Sequence, residues 1–350
     1  MVCLSLKKYK MDNSIKRKII PIKEKVTVCI PTYNRAELIG ATLNSVVKQD
    51  FKKINILVID NNSSDETEKV VKSFNDKRIQ YFKNKKNLGF PGNLQRCFDL
   101  AKTEYLIFLA DDDIFLQGAV IKLVEVMDKN PNCIIGKSAD YRFFNDKMIP
   151  DIIDKQSNKT IILERGDRAI SKSLDYSLGA FSGLIIRKEG KKIKVLSRGL
   201  LNSLIEPLFI LLKEGDFIYY PEILVGLRCH NNLAYQIYTD SSYSRELFPI
   251  YNQFIKNENI LKRTKDRFLK ASVSDFFNIR LYGNWAGIIC ETKYIFENNY
   301  LVLLTPKFIL YFILSLLLPK RVILFIKRVF IYINSKRIDK KEIVNKIIKN

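Results

Sequence analysis

The N-terminal third of the chain alternates between short apolar runs and amphipathic stretches. The runs Val26–Ile30, Ile54–Ile59, Ile79–Phe82 and Tyr105–Leu109 have the length and composition of β-strands, and most are apolar on both faces. Stretches between them place apolar residues at helical spacing, as Ala36–Lys48 does. Four strand–helix units in series predict an α/β fold with a mostly parallel sheet covered by helices.

Polar clusters directly follow three of the predicted strands. They are Thr32–Arg35, Asp60–Asp65 and Asp111–Asp113. In a parallel sheet the carboxyl ends of the strands meet at one edge, and ligands bind just beyond that edge. The three clusters therefore predict one binding site.

Three consecutive carboxylates, Asp111–Asp113, close the fourth predicted strand. Neighbouring carboxylates repel one another unless a cation or hydrogen-bond donors offset the repulsion. Oxygen ligands of this kind suit Mg²⁺ or Mn²⁺, which keep coordination positions open for substrate phosphates. The alternative interpretation is a solvated helix N-terminus, where acidic residues favour the helix dipole.

The other two clusters have side chains that suit a nucleotide. Asp60 can accept a hydrogen bond from a nucleobase, and a base can stack on Tyr33. A plain turn is the alternative for the second cluster, because Ser63 and Glu66 form a capping-box pattern that predicts a helix to about Phe74. The chain has no G-x-G-x-x-G and no P-loop motif, which is evidence against a dinucleotide enzyme and a P-loop NTPase.

Taken in order, four motifs resemble those of glycosyltransferase family 2. They are Pro31-Thr-Tyr-Asn-Arg35, Asp60-Asn-Asn-Ser-Ser-Asp65-Glu-Thr67, Asn87-Leu-Gly-Phe and Asp111-Asp-Asp113. The resemblance covers residues 26–130 strongly and continues weakly to about 232. It implies the GT-A fold, a Rossmann-like and mostly parallel sheet flanked by helices, here with a helical C-terminal extension. It also implies inverting transfer of a sugar from a nucleotide sugar, usually a UDP-sugar, with Mn²⁺ or Mg²⁺ as cofactor.

The resemblance implies roles for individual residues. Asp112 corresponds to the metal ligand, with Asp113 beside it, although the triplet leaves a one-residue ambiguity in that assignment. Asp111 corresponds to the acid on the ribose side. The residues implied to bind the nucleotide are Pro31, Thr32, Tyr33, Asn34, Arg35, Asp60, Asn61, Asn87 and Asp111.

An inverting transferase needs a general base for the acceptor hydroxyl. The family supplies an Asp or Glu at the head of a later helix, and Glu206, 94 residues after Asp112, is the only acid in its apolar stretch. A surface glutamate is the alternative interpretation, and Asp216 is the second candidate base. The family resemblance also implies that Arg228 and His230 contact the leaving diphosphate. A lone histidine, however, is more often structural.

Processive members of the family carry a Q-x-x-R-W motif, and this chain has none. We therefore predict addition of a single sugar to a glycan or lipid-linked glycan, in the assembly of a bacterial surface polysaccharide such as capsule or O-antigen. A metal-dependent nucleotidyltransferase is the alternative enzyme, because it too holds a nucleotide near metal-bound carboxylates. It would release pyrophosphate rather than a nucleoside diphosphate.

The net charge of +22 is concentrated at the two ends of the chain. Residues 1–25 carry a net +6 and residues 301–350 a net +9. A nucleic-acid binder needs basic residues interleaved with aromatic ones along a groove. The charge distribution favours an anionic membrane surface over nucleic acid as the partner.

The C-terminal segment 301–335 is predicted to associate with a membrane. Between Pro306 and Pro319 lie twelve residues, about 18 Å as a helix, which is short of the ~30 Å hydrocarbon core. Basic pairs at Lys320 and Lys327 repeat at seven residues and predict an amphipathic helix in the membrane interface. A buried bundle helix and a true membrane span are the alternatives.

We predict three regions: a basic arm (1–25), a GT-A catalytic domain (26–235) and a helical C-terminal region (236–350). The catalytic domain divides into a nucleotide-binding half (26–130) and an acceptor half (131–235). Six scattered cysteines without a C-x-x-C pair argue against a disulfide scaffold and a zinc ribbon. Without a signal-peptide pattern, we expect a cytoplasmic enzyme, peripheral on the inner face of the cell membrane.

Overall fold

The computed structural model describes residues 24–144, 148, 152–196, 200–229, 243–272, 276, 285–323, 325, 326 and 329. The strands are β1 (Val26–Thr32), β2 (Ile54–Asp60), β3 (Ile79–Lys83), β4 (Tyr105–Phe108), β5 (Ile114–Phe115), β6 (Cys133–Phe143), β7 (Ile152–Asp154), β8 (Ile161–Leu163), β9 (Leu184–Arg187) and β10 (Asp216–Arg228). The helices are α1 (Ile39–Val47), α2 (Thr67–Ser73), α3 (Gly89–Leu100), α4 (Ala119–Lys129), α5 (Asp167–Lys172), α6 (Leu200–Leu211), α7 (Tyr243–Phe254), α8 (Glu258–Ser272), α9 (Trp285–Asn299) and α10 (Pro306–Leu317).

The strands form one mixed sheet in the order β3-β2-β1-β4-β9-β6-β10-β5, with β7 beside β6 and β8 beside β10. The strands β3, β2, β1 and β4 are parallel, as the four strand–helix units in series predict. The strand β9 then runs antiparallel to both β4 and β6, and β10 runs parallel to β6. The carboxyl ends of β1, β2 and β4 therefore share one edge of the sheet.

Both faces of the sheet are covered by helices, and successive side chains of a strand point to opposite faces. Val28 and Ile30 of β1 pack in the core under α1 and α4. Cys29 between them faces the larger core formed with α3, α6 and α7. All three side chains are fully buried.

Two local predictions are wrong. The predicted capping box at Ser63 does not form, because Ser63 donates its backbone N–H and its hydroxyl to Asp60 Oδ1, both at 2.7 Å. The helix α2 begins instead at Thr67. The run Phe217–Leu227 by itself predicts a pair of strands broken at Pro221. In the structure it is the single strand β10, whose pairing with β6 shifts register between Tyr220 and Val225. Such an irregularity accommodates a proline that cannot donate to the ladder.

The C-terminal region is helical in the part of the chain that the structure describes, as predicted. A 3-10 helix, Tyr300–Leu304, joins α9 to α10, and the chain bends by 114° between Glu291–Leu304 and Pro306–Leu317. Among the described residues no single helix has the length and apolarity to cross a membrane, whereas this bent pair meets the criterion when both parts are taken together. Residues 1–23, His230 and most of the predicted interfacial helix beyond residue 323 lie outside the described residues.

Candidate active site

Hydrogen bonds join the loops after β1 and β2. In most of them a backbone N–H of one loop donates to a side chain of the other loop. Asn34, in the left-handed region at φ +52°, donates its backbone N–H to Ser63 Oγ at 2.9 Å. Its side-chain Oδ1 accepts from the Ser64 N–H at 2.9 Å. The next backbone N–H, that of Arg35, donates to Thr67 Oγ1 at 2.9 Å. The first two predicted clusters therefore form one surface.

Arg35 connects this surface to the acidic loop after β4. Its Nε lies 3.4 Å from Asp111 Oδ1, and its Nη2 lies 3.9 Å from Asp112 Oδ2. The three side chains are largely buried, with exposed fractions of 24%, 12% and 13%. The three predicted clusters thus meet at one edge of the sheet, as expected from the sequence.

The acidic loop concentrates negative charge in a poorly solvated place. Burial and the neighbouring Asp112 charge raise the pKa of Asp111 to about 6. The Thr32 hydroxyl, the Arg35 guanidinium and the Tyr33 backbone N–H lower it, but by less. A further cation at this edge would relieve the remaining repulsion between Asp111 and Asp112.

Asp113 is buried and bonded within the protein. Its Oδ2 accepts from the Ser182 hydroxyl at 2.6 Å, and its Oδ1 accepts from the Arg228 backbone N–H at 2.7 Å. Burial and the Asp112 charge raise the pKa of Asp113. A metal contact at Asp113 stays a prediction, and it would compete with these two hydrogen bonds for the lone pairs of the carboxylate. Asp112 is therefore the stronger candidate for a metal ligand.

Asp60, predicted to contact a base, is fully buried at the end of β2. Besides the two bonds from Ser63, it accepts a hydrogen bond from the Tyr81 hydroxyl on β3. Burial and this bond to the carboxylate raise the pKa of the Tyr81 phenol. A base contact at Asp60 stays a prediction, because its oxygens already hold the loop after β2.

A chain of asparagine amides fixes the third loop. Asn61 Nδ2 donates to Asn87 Oδ1 at 2.8 Å, and Asn84 Nδ2 donates to Asn61 Oδ1 at 3.1 Å. Asn84 also donates to Asn93 Oδ1 at 2.9 Å, and Asn93 donates to the Ile59 carbonyl at 3.0 Å. Asn61 and Asn87 are among the residues that the sequence predicts to bind the nucleotide. Asn84 and Asn93 were missed, and their only signal was the density of asparagines around Asn87.

The remaining residues of the first motif line the same edge. Pro31 lies within β1, and the buried Thr32 ends that strand and accepts from the Asn61 N–H through its carbonyl at 2.8 Å. Tyr33 is 46% exposed, which leaves an aromatic face open to solvent beside the acidic loop. The edge thus combines an aromatic surface, amide groups and carboxylates.

The two later candidates differ in their relation to this edge. Arg228 Nε donates to the Asp112 carbonyl at 3.3 Å, and its guanidinium lies 4.9 Å from the centre of the Phe143 ring. Glu206 lies in the second turn of α6, before Pro207, rather than at the head of the helix. It is 8% exposed, and its Oε2 has no hydrogen-bond partner in the described part of the chain.

Within the described ranges no three His, Cys, Asp or Glu side chains are grouped to hold a metal ion by themselves. Asp112 and Asp111 nevertheless offer the hard oxygen donors that Mg²⁺ and Mn²⁺ prefer. An added cation also fits the charge imbalance of the acidic loop. The protein groups therefore fit a divalent ion that completes its coordination with other ligands.

The sheet and this site define the class of GT-A glycosyltransferases. Residues 27–184 of the chain match the family model "Glycosyl transferase family 2". The chain is similar to the crystal structure of S. aureus TarS 1–349 in complex with UDP, with a TM-score of 0.55 at 16% identity over 83% of this chain and 90% of that one. The predicted family, fold and transferase class are confirmed.

Curated relatives are also glycosyltransferases. The GalNAc(5)-diNAcBac-PP-undecaprenol beta-1,3-glucosyltransferase of Campylobacter jejuni is 28% identical over 277 residues, which is 74% of this chain and 82% of that enzyme. The poly(ribitol-phosphate) beta-N-acetylglucosaminyltransferase TarP of Staphylococcus aureus is 26% identical over 67% of this chain and 73% of that enzyme. The Escherichia coli beta-1,3-glucosyltransferase WfgD is 32% identical over 30% of this chain and 42% of that enzyme.

Proposed function

We propose that this chain transfers one sugar, with inversion, from a UDP-sugar to a glycan or lipid-linked glycan of a bacterial surface polysaccharide. The observation that carries the proposal is the meeting of the loops after β1, β2 and β4 through Arg35, Asp111 and Asp112. The relatives' names support the acceptor class, since they specify undecaprenol diphosphate-linked glycans and poly(ribitol phosphate). The crystal structure of the similar TarS in complex with UDP supports the donor.

The nucleotide would lie along the edge formed by the loops after β1, β2 and β3. Tyr33 offers a stacking surface for the base, and Asn34, Asn61 and Asn87 keep the surrounding loops in place. In this proposal residues 26–130 are the nucleotide-binding half of the catalytic domain and residues 131–235 the acceptor half.

The diphosphate would lie against the acidic loop. Asp112, with Asp111 beside it, would hold Mn²⁺ or Mg²⁺ together with phosphate oxygens. When bound, such an ion neutralises charge on the departing nucleoside diphosphate. Arg228 already contacts the Asp112 carbonyl and carries its positive charge close to this loop. His230, two residues after Arg228 in the sequence, is proposed as a second diphosphate contact.

Glu206 is proposed as the general base that removes the proton of the acceptor hydroxyl. Its carboxylate lies among apolar residues of α6 and retains an oxygen without a hydrogen-bond partner, which leaves that oxygen able to accept a proton. The helix α6 packs against α3, which begins at the nucleotide edge.

Association with the inner face of an anionic membrane completes the proposal. On α10 the apolar residues Leu310, Ile313 and Leu317 are exposed by 54%, 44% and 75%, and their spacing places them on one face of the helix. Residues 298–338 contain seven basic residues and no acidic one. An exposed apolar face with basic flanks matches a lipid surface with anionic headgroups.

Titration calorimetry with UDP, with and without Mn²⁺, tests the donor site. We expect binding that strengthens with the metal and that loses this dependence in Asp112→Asn. Asp128→Asn is the matched control, because Asp128 pairs with Lys25 at the opposite edge of the sheet. If Asp112→Asn responds to Mn²⁺ as the wild type does, the metal assignment is wrong. The released product, UDP rather than pyrophosphate, separates the transferase from a nucleotidyltransferase.

Sedimentation with vesicles tests the membrane surface. We expect the full chain to bind vesicles rich in anionic lipid, and the double substitution Ile313→Ser and Leu317→Ser to lower the bound fraction. Ile162→Ser is the control, since Ile162 is a similarly exposed apolar residue on β8. Undiminished binding of the double variant would exclude α10 as the contact.

A further inference from the structure

A lysine is buried inside the sheet on the strand β6, where most lysines would be too costly to place. The side chain of Lys137 has no exposed surface. Its Nζ donates to the Ser182 carbonyl at 2.5 Å and lies 3.6 Å from Asp140 Oδ2, which is also fully buried. A buried ammonium group loses its hydration, so it is retained only where protein groups compensate.

A single intermediate residue, Ser182, connects the lysine to the acidic loop. Ser182, whose carbonyl accepts from Lys137, donates its hydroxyl to Asp113 at 2.6 Å. The same hydroxyl accepts the backbone N–H of Ala110 at 2.8 Å. A single serine therefore links the buried ammonium group to both the start and the end of the acidic loop.

The position of this serine is tightly constrained. Gly183, which follows it, has a φ of +76°, and a Cβ there would lie 2.5 Å from Val225 Cγ2 and 3.6 Å from Lys137 Nζ. The Gly183 N–H donates to the Phe108 carbonyl at 2.9 Å, at the end of β4. Lys137 therefore donates to the Ser182 carbonyl, whose position is constrained by the bonds of the Ser182 hydroxyl and by the packing of Gly183.

The charge of Lys137 also opposes the charges that the active site accumulates. Its ammonium group lowers the pKa of Asp113 and of Asp140, while burial raises both. Burial lowers the pKa of Lys137, and the carboxylates of Asp140 and Asp113 raise it. The Lys137–Asp140 ion pair has a net charge close to zero. Its electrostatic effect on Asp113 therefore depends on where its two charged groups lie as well as on the charge of each.

We propose that Lys137 is a positioning residue of the transferase: through Ser182 and Asp113 it fixes the loop that presents Asp112 to the donor diphosphate. This inference rests on the proposed function, in which Asp112 faces that diphosphate. Lys137 touches neither substrate nor metal in this arrangement. Its effect passes through one backbone carbonyl and one hydroxyl.

The test compares Lys137→Met with the double variant Lys137→Met and Asp140→Leu. The single variant leaves Asp140 buried without its partner and is expected to lower the unfolding temperature. The double variant removes both charges from the core and is expected to recover that temperature, because buried ion pairs are often replaceable by apolar residues. Activity separates the two roles, because a merely structural pair would recover activity together with stability.

We expect the double variant to retain a kcat about a hundredfold below wild type, the loss that a displacement of about 1 Å can cause. The Mn²⁺ concentration for half-maximal activity should rise, while the dissociation constant for UDP without metal should stay unchanged, because the nucleotide loops are not touched. Ser182→Ala, which removes the hydroxyl link and keeps Lys137, should shift the Mn²⁺ requirement in the same direction.

Wild-type kcat and Mn²⁺ requirement in the double variant would overturn the proposal, and so would an unchanged Mn²⁺ requirement in Ser182→Ala. If the wild type binds no nucleoside diphosphate, the proposed function fails first and this inference fails with it. If the wild type binds UDP with metal and the double variant does so equally well at full activity, only the role of Lys137 is refuted.

Discussion

Substitution of Gly183 by alanine tests the tight junction between the acidic loop and β9. At a φ of +76° an added Cβ costs about 1–2 kcal/mol in backbone strain. The same Cβ would lie 2.5 Å from Val225 Cγ2, a fully buried side chain, and forcing such a contact costs about 1–3 kcal/mol more. We therefore expect the free energy of unfolding to fall by about 2–5 kcal/mol in total.

Gly118 provides a control with the same backbone conformation. Its φ is also +76°, but no atom lies within 4 Å of the position of an added Cβ. Gly118→Ala should therefore show the strain cost alone. Urea unfolding of both variants gives the difference, which we expect to be about 1–3 kcal/mol. Equal destabilisation of the two variants would refute the close packing against Val225 and with it the rigid placement of Ser182.

Three further predictions concern separate parts of the chain. Glu206→Gln should lower kcat by about 10²–10⁴-fold while the UDP dissociation constant stays constant, and an unchanged kcat would exclude Glu206 as the base. Asn84→Ala removes two buried amide hydrogen bonds and should cost about 1–3 kcal/mol in urea unfolding; no loss would contradict the amide chain. The Arg78 side chain, which bonds Asp76, lowers the pKa of that carboxyl despite partial burial. The stability that Asp76 adds is therefore present above its ordinary pKa and is lost as pH falls through its lowered one, so wild type and Asp76→Asn should converge in unfolding free energy at acid pH; a constant difference would contradict the assignment.

The first half of the fold could be predicted because its signals are local. Val26–Thr32 and Ile54–Asp60 are buried on both faces, and such runs are typical of a parallel sheet that is covered on both sides. The polar residues that follow them then reach the same edge by topology alone. This is why the sequence alone predicts that Arg35 and Asp111 lie at the same edge of the sheet.

The second half could not be predicted, because its signals depend on partners distant in sequence. The strand β9 pairs antiparallel with β4 and β6, and nothing within Leu184–Arg187 specifies either neighbour. Lys137 interrupts an apolar strand and looks like a surface residue until Ser182 and Asp140 are placed beside it. At Ser63 the local pattern fitted a helix cap, but the carboxylate of Asp60 competed successfully for the same hydroxyl.

The junction between the loops after β1 and β2 also determines how this edge can open. Three successive backbone N–H groups, those of Asn34, Arg35 and Ala36, all end on side chains of the second loop. Exchange of these amide protons with solvent requires the bonds between the two loops to break, so we expect the two loops to open together in local unfolding. Hydrogen exchange at residues 34–36 therefore reports on the integrity of residues 63–67, a segment that contributes none of those protons.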